Sequence, residues 1–157
     1  MNEEKETVMK ISKLLLALSL LAPLATACGP SAKLASPNGF AHVGGDYDDR
    51  ITNAHGVVVG ARVEKNEPQA NLDFWVEAVD LRLKARGYEA DGEAADVKNA
   101  SGIPGRSLHY KRGWYRYWID VYATEKRVVV VEATGDARDF DNAKTSVEAS
   151  MRSVRVN

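Results

Sequence analysis

The side chain with the most definite chemistry in this sequence is the thiol of Cys28, the single cysteine of a 157-residue chain. A lone free thiol in a secreted protein needs an explanation. Here it follows a short apolar run, Leu14 to Ala25, which two lysines precede. The run is too short to cross a membrane as a helix, which takes about 20 apolar residues. A basic flank, a short apolar segment and small residues after it are typical of a secretory signal peptide.

The residues around this thiol, Leu24-Ala25-Thr26-Ala27-Cys28, resemble the lipobox of bacterial lipoproteins. The resemblance implies cleavage between Ala27 and Cys28, which removes residues 1–27 as the signal peptide. It also implies diacylation of the Cys28 thiol and acylation of the new amino terminus. The chain departs from the usual pattern in having Ala25 where most lipoboxes have leucine.

Lipidation predicts where the protein is held. Two or three acyl chains give stable anchoring, whereas a single chain is marginal. We therefore expect a membrane partner through the lipid anchor, in the bacterial cell envelope. Gly29 follows the cysteine where an aspartate would favour the inner membrane, and this favours the outer membrane, facing the periplasm. The alternative is an ordinary signal peptide with a cysteine nearby by chance.

Other chemistry-bearing residues form no recognisable site. His42, His55 and His109 are far apart and fit no metal-ligand spacing. The chain has no Gly-x-Ser-x-Gly elbow, no Walker loop and no His-Glu-x-x-His motif. Its formal net charge of −1 gives no field that would steer it towards nucleic acid. These features predict a protein without catalytic residues, metal or cofactor that is not an enzyme and does not bind nucleic acid.

One acidic loop, Gly44 to Asp49, carries three aspartates within four residues. Calcium binding by an EF-hand is one interpretation, but the alternating ligands, the glycine and the distant glutamate that it requires are missing. A solvated turn is the preferred interpretation.

The elements that would position these residues follow from periodicity. Residues 28–39 consist of the lipidated cysteine and a segment that is small, polar and contains glycine and proline. This composition predicts a flexible tether. Residues 40–157 predict one small α+β domain. We expect antiparallel strands at 57–64, 107–111, 115–123 and 127–133, and helices near 72–86 and 140–151.

The first helix has an unusually wide apolar arc. One stripe consists of Leu72, Trp75, Val76, Val79 and Leu83. Phe74, Ala78 and Leu81 widen it further. An arc of this width is usual for a helix that packs deeply on a sheet.

The strand at 115–123 offers the one candidate binding surface. A face shared by alternating residues carries Trp114, Arg116, Trp118, Asp120 and Tyr122. Aromatic residues beside an arginine are typical of a protein-interaction hot spot. The competing interpretation places this face under a helix, with Arg116 and Asp120 pairing at its margin, since unpaired charges would be costly in a core.

The order of elements resembles the α/β/α sandwich of the PsbP family, whose namesake is an extrinsic photosystem II subunit. The residues that carry the likeness are Ile103-Pro104-Gly105-Arg106, Val128 to Gly135 and the closing helix. The resemblance implies an antiparallel sheet flanked by two main helices. With the lipobox, it favours an accessory lipoprotein that binds a protein of the envelope. The alternative is a carrier that holds a small apolar or lipidic ligand between sheet and helix.

Overall fold

An antiparallel sheet of eight strands runs through the domain, with one helix packed on each face. The computed structural model describes residues 29–157, so the predicted signal peptide and Cys28 lie outside the described residues. The strands are β1 (Ala32–Lys33), β2 (Phe40–His42), β3 (Asp49–Asn53), β4 (Val58–Lys65), β5 (Glu89–Ala90), β6 (Ala95–Lys98), β7 (Pro104–Arg112), β8 (Tyr115–Ala123), β9 (Arg127–Asp136) and β10 (Arg155–Val156). The helices are α1 (Leu72–Ala85) and α2 (Ala137–Arg152).

The strand order in the main sheet is β2-β3-β4-β9-β8-β7-β5, and β6 also pairs with the outer edge of β7. Strands β7, β8 and β9 form the predicted meander, with Leu108 opposite Ile119 and Val121 opposite Val130. The α+β class and the sheet between two main helices are therefore confirmed. A separate two-stranded ribbon pairs β1 with β10 and so joins the two ends of the described chain.

Helix α2 packs deeply on its face of the sheet. Its residues Phe140, Val147 and Met151 are buried against strand residues such as Val131. The helix begins after Asp136, whose side chain caps it by accepting the Arg138 backbone N–H at 3.1 Å. Burial of each such apolar side chain stabilises the fold by about 1.5–3 kcal/mol, so this face holds most of the core.

Helix α1 packs shallowly, contrary to the prediction of a deeply packed helix. Leu83 is its one buried residue, and Phe74 and Leu81 are 46% and 61% exposed. A helix lying on a sheet buries an apolar stripe of roughly 100°. The remaining apolar residues of a wider arc must then face away from the sheet, and they do so here.

The amino-terminal segment is part of the fold rather than a flexible tether, so the predicted boundary at residue 40 is too late. Ala32 is fully buried and Leu34 lies in the same core as α2. The supposedly solvated aspartates hold this segment: Asp48 accepts the Ala32 N–H at 3.1 Å, and Asp49 accepts the Leu34 N–H at 2.9 Å. A carboxylate that accepts a backbone N–H forms a strong hydrogen bond. These two aspartates therefore hold in place a segment whose composition alone predicts a flexible linker.

Candidate functional site

The five residues of the predicted binding face of β8 differ in their exposure to solvent. Trp118, Asp120 and Tyr122 are buried beneath α2, where no partner can reach them in this structure. Trp114, in the turn before β8, is 82% exposed. Arg116 is half-buried at the margin. The five residues therefore do not form one continuous surface, because α2 covers the middle and far end of the strand.

Arg116 pairs with carboxylates from two other elements. Its guanidinium lies 3.1 Å from Asp91 and 3.3 Å from Asp141 of α2. Hydrogen bonding to Asp141 raises the pKa of Arg116 above its ordinary value. The competing interpretation expected Arg116 and Asp120 to pair at the margin of a helix-covered face. Arg116 does lie at that margin, but its partners Asp91 and Asp141 come from outside β8.

Asp120 lies in the interior and does not pair with Arg116. Its side chain accepts the Tyr122 hydroxyl at 3.1 Å, and its second oxygen has no partner among the described residues. Burial raises the pKa of Asp120 above its ordinary value. Ser107, its neighbour across the β7–β8 ladder, lies 3.4 Å from the His109 ring. At 1% exposure Asp120 is closed to a substrate, and we assign this cluster to the core.

The more accessible site is a cleft of about 420 Å³ between α1 and the sheet. Its apolar lining comes from both layers: Trp75, Val79, Leu83, Tyr117, Ile119, Val128 and Val130. The shallow packing of α1 leaves this space, because the helix covers the β7–β8 side of the face and the β4 side stays open. A partly apolar concave space of several hundred Å³ is the usual form of a ligand site.

A polar cluster lines the β4 side of this cleft. The Tyr47 hydroxyl donates to Glu132 at 2.6 Å, and the Arg62 guanidinium donates to the same carboxylate at 3.2 Å. Burial and the hydrogen bond to Glu132 raise the pKa of Tyr47 to about 12. Burial beside Glu132 likewise raises the pKa of Tyr117. Both phenols therefore stay protonated near neutral pH and act as hydrogen-bond donors.

Three cations stand on the rim of the cleft. Lys65 comes from β4, and Arg82 and Arg86 come from the end of α1. None of the three has a carboxylate of residues 29–157 within 4.0 Å. Two carboxylates, Glu64 and Glu67, line the cleft beside Lys65, so the positive charge is concentrated at Arg82 and Arg86. An apolar lining next to these arginines suits a ligand that is apolar at one end and acidic at the other.

Helix α1 also presents an apolar row to the outside. Phe74, Ala78 and Leu81 are exposed and lie on one side of the helix. Arg82 and Lys84 follow at its carboxyl end. The row and the cleft rim are therefore neighbouring parts of the same helix.

Neither helix of the described part has the length and apolarity that a membrane crossing needs. Within residues 29–157, no group of three His, Asp or Glu side chains is placed to hold a metal ion.

The sheet between two helices places the described domain in the PsbP-like fold class, as the sequence resemblance implied. The crystal structure of LpqN, "involved in cell envelope biogenesis of Mycobacterium tuberculosis", matches it with a TM-score of 0.64 at 11% identity, over 82% of this chain and 84% of that chain. The solution structure of cyanobacterial PsbP (CyanoP) from Synechocystis sp. PCC 6803 matches with a TM-score of 0.52 at 13% identity, over 87% and 99%. No family model and no curated protein matches the sequence. Identities this low show a shared fold alone.

The sequence analysis offered a ligand between sheet and helix as an alternative, but it missed the polar residues of this cleft because they are far apart in the chain. Tyr47 and Glu132 are 85 positions apart and Arg62 lies on a third element. Gly60, directly beneath the Tyr47 ring, is the one sequence signal of this arrangement. A side chain there would lie 2.7 Å from the ring, and a glycine within a strand often marks such a close approach.

Proposed function

We propose that this chain is a lipid-anchored lipoprotein of the bacterial envelope whose domain works by binding a protein partner, as an accessory to envelope assembly. The lipobox residues that end at Cys28 support the anchor. The fold shared with LpqN, a protein involved in cell envelope biogenesis, supports the envelope role.

The observation that carries this proposal is the apolar row on α1. Phe74, Ala78 and Leu81 face away from the sheet although side chains of this type are usually buried. Next to the row are Arg82 and Arg86, neither of which has a carboxylate of residues 29–157 within 4.0 Å. The matching partner is a protein segment that combines apolar side chains with carboxylates. A cluster of this kind carries most of the binding energy in protein interfaces.

A photo-crosslinking residue at position 78 tests the proposal in intact cells. The crosslinked envelope protein is identified and purified, and its affinity is measured for the wild type and for Leu81→Ser. We expect at least a tenfold loss of affinity, because a hot-spot side chain contributes more than about 1.4 kcal/mol.

The matched control is Val43→Ser, which removes an apolar side chain that is 39% exposed elsewhere on the surface. It should leave the affinity unchanged. Equal affinity of Leu81→Ser and wild type, or equal losses in both variants, would contradict the assignment of the α1 row.

A second candidate function, a carrier of an apolar or lipidic ligand, is favoured by the cleft of about 420 Å³ between α1 and the sheet. The ligand would place its apolar part against the floor at Ile119 and Val130, and an acidic group near Arg82 and Arg86.

Binding of a fluorescent long-chain fatty acid tests the carrier function. Val79→Trp fills the cleft, whereas Val76→Trp adds the same bulk on the other side of α1, in a separate depression. The carrier function predicts weaker binding of the probe to Val79→Trp alone. Arg82→Gln should weaken binding of the acid but not of its methyl ester. If the affinity for the fatty acid is the same in wild type and in all three variants, the carrier function is contradicted.

A further inference from the structure

The chain enters the fold very close to the predicted lipid anchor. Gly29, Pro30 and Ser31 alone separate Cys28 from the fully buried Ala32. Ser31 is itself held, because its carbonyl accepts the Asn157 N–H at 3.0 Å. An extended chain spans at most about 3.6 Å per residue, which keeps the Cys28 Cα within about 14 Å of the Ala32 Cα.

The point of entry belongs to a definite end of the domain. Ala32 is the strand partner of Val156 in the β1–β10 ribbon. Val156 in turn lines an open depression of about 520 Å³ with Ile103 and Val129. The rest of its lining comes from Ser101 and from the turn between β8 and β9, residues 124–127. We call this surface the basal end.

The basal end carries more positive than negative charge. Lys126 and Arg127 line the depression, beside a single carboxylate from Glu125. Lys33 and Arg155 are opposite each other in the neighbouring ribbon. Among the described residues, none of these four cations has a carboxylate within 4.0 Å. Lys33 helps to lower the pKa of the nearby Asp49 carboxyl, whereas the charges of Lys126, Arg127 and Arg155 are available to an external anion.

The most exposed aromatic residue lies at the opposite end. Trp114 is in the turn before β8, while the depression includes the turn after β8. The nine residues of β8 separate the two turns, which corresponds to about 27 Å. Contact at the basal end therefore leaves Trp114 free for a partner.

We propose that the basal end is a membrane-contacting surface, which rests on anionic lipid headgroups and faces its apolar depression towards the bilayer. This inference rests on the proposed lipidation of Cys28. The short connection keeps the basal end close to the bilayer, and the excess of cations at that end matches the negative charge of acidic lipids. The bilayer thus sets the orientation of the whole domain.

The test supplies the anchor chemically and so does not depend on lipidation in the cell. The chain from Cys28 onwards is coupled through its single thiol to a maleimide lipid in vesicles. Hydrogen exchange is then compared on vesicles with and without anionic lipid. We expect added protection at residues 99–103, 124–127 and 155–157 on anionic vesicles. The turn at 112–115 should exchange as in solution.

Substitutions test whether the basal cations themselves attract the membrane or whether the basal end is merely held near it by the anchor. Lys126→Gln and Lys33→Gln each remove one basal cation, and Arg138→Gln removes an exposed cation at the opposite end as the matched control. For the uncoupled chain, each basal substitution should lower partitioning onto anionic vesicles about fivefold. The control should leave partitioning unchanged.

Protection centred on 112–115, or equal effects of basal and control substitutions, would overturn the membrane-contacting surface. Such a result would leave the lipoprotein assignment intact, because the coupling replaces the natural lipid. Conversely, failure of Cys28 to incorporate fatty acid in cells would reject the natural anchor without altering the vesicle result.

Discussion

The Tyr47 hydroxyl donates a hydrogen bond of 2.6 Å to Glu132, which joins the loop before β3 to the middle of β9. The Tyr47 ring lies over Gly60 of β4, and the Arg62 guanidinium lies 5.8 Å from the ring centre. This contact lines the β4 side of the cleft beneath α1 and depends on the absence of a side chain at position 60.

Gly60→Ala should displace the Tyr47 ring. The added Cβ would lie 2.7 Å from ring carbons, and overpacking of this kind costs about 1–3 kcal/mol. Urea unfolding measures the free energy of unfolding. Gly44→Ala is the control, because nothing lies within 4 Å of its Cβ position. It should leave stability unchanged or raise it by up to about 1 kcal/mol. Equal stability of the Gly60 variant and wild type would contradict the close contact.

Asp49→Ala should release the amino-terminal segment. Burial works to raise the pKa of Asp49, but the Leu34 N–H and the His42 ring outweigh it and hold this pKa below the ordinary value. The carboxylate therefore stabilises the fold above its unfolded-state pKa of 3.8, and this stability is lost as the pH falls through the lower folded-state pKa.

We expect a loss of about 2 kcal/mol at pH 7, which shrinks towards zero in strong acid. Stability measured against pH tests both parts, with Asp46→Ala in the same loop as the control. A pH-independent difference would show that the charge of Asp49 does not hold the segment.

Asp120 should give the opposite pH dependence. Burial raises its pKa in the folded state, so the folded protein binds the proton more tightly than the unfolded chain does. Wild type should therefore lose stability relative to Asp120→Asn as the pH rises from 3.8 through the raised folded-state pKa. Parallel stability curves for the two proteins would contradict a buried charge at this position.

Trp118→Ala and Trp114→Ala should differ strongly in stability. The Trp118 ring stacks on His109 at 3.8 Å and meets the Phe140 ring edge-on at 4.9 Å. Its removal from the core should cost about 3–5 kcal/mol. Trp114 is exposed, so its removal should change stability by less than about 0.5 kcal/mol. Thermal melting decides. Similar losses of stability in both variants would contradict the burial of Trp118, but not Trp114, beneath α2.

Cys28→Ser should abolish lipidation. Metabolic labelling with a fatty acid should mark the wild-type chain and leave the variant unlabelled and either unprocessed or soluble. Label that persists on the variant would refute the lipoprotein assignment.

The periodic elements could be predicted from the sequence because their signals are local. The alternation along residues 115–123 correctly separates the two faces of β8. The expected helix near 140–151 is observed at Ala137–Arg152, beginning at the Asp136 cap. Local patterns of this kind depend on backbone geometry that each segment carries by itself.

Long-range packing accounts for what the sequence did not reveal. Ala32 and Leu34 are in a segment with the composition of a linker, yet Asp48 and Asp49, about fifteen residues later, bind their N–H groups and place them in the core. The cleft likewise requires Tyr47, Arg62 and Glu132 to come together from three separate elements.

The sequence by itself determined which side chains share a face of β8 and α1, because strand and helix periods are properties of the local backbone. The tertiary structure alone decided which of those faces are covered. Helix α2 lies over Trp118 and Tyr122 and buries them, while α1 turns Phe74 and Leu81 outward because the sheet accepts only one side of a helix. Burial depends on the neighbouring layer, and no local pattern specifies how far that layer extends.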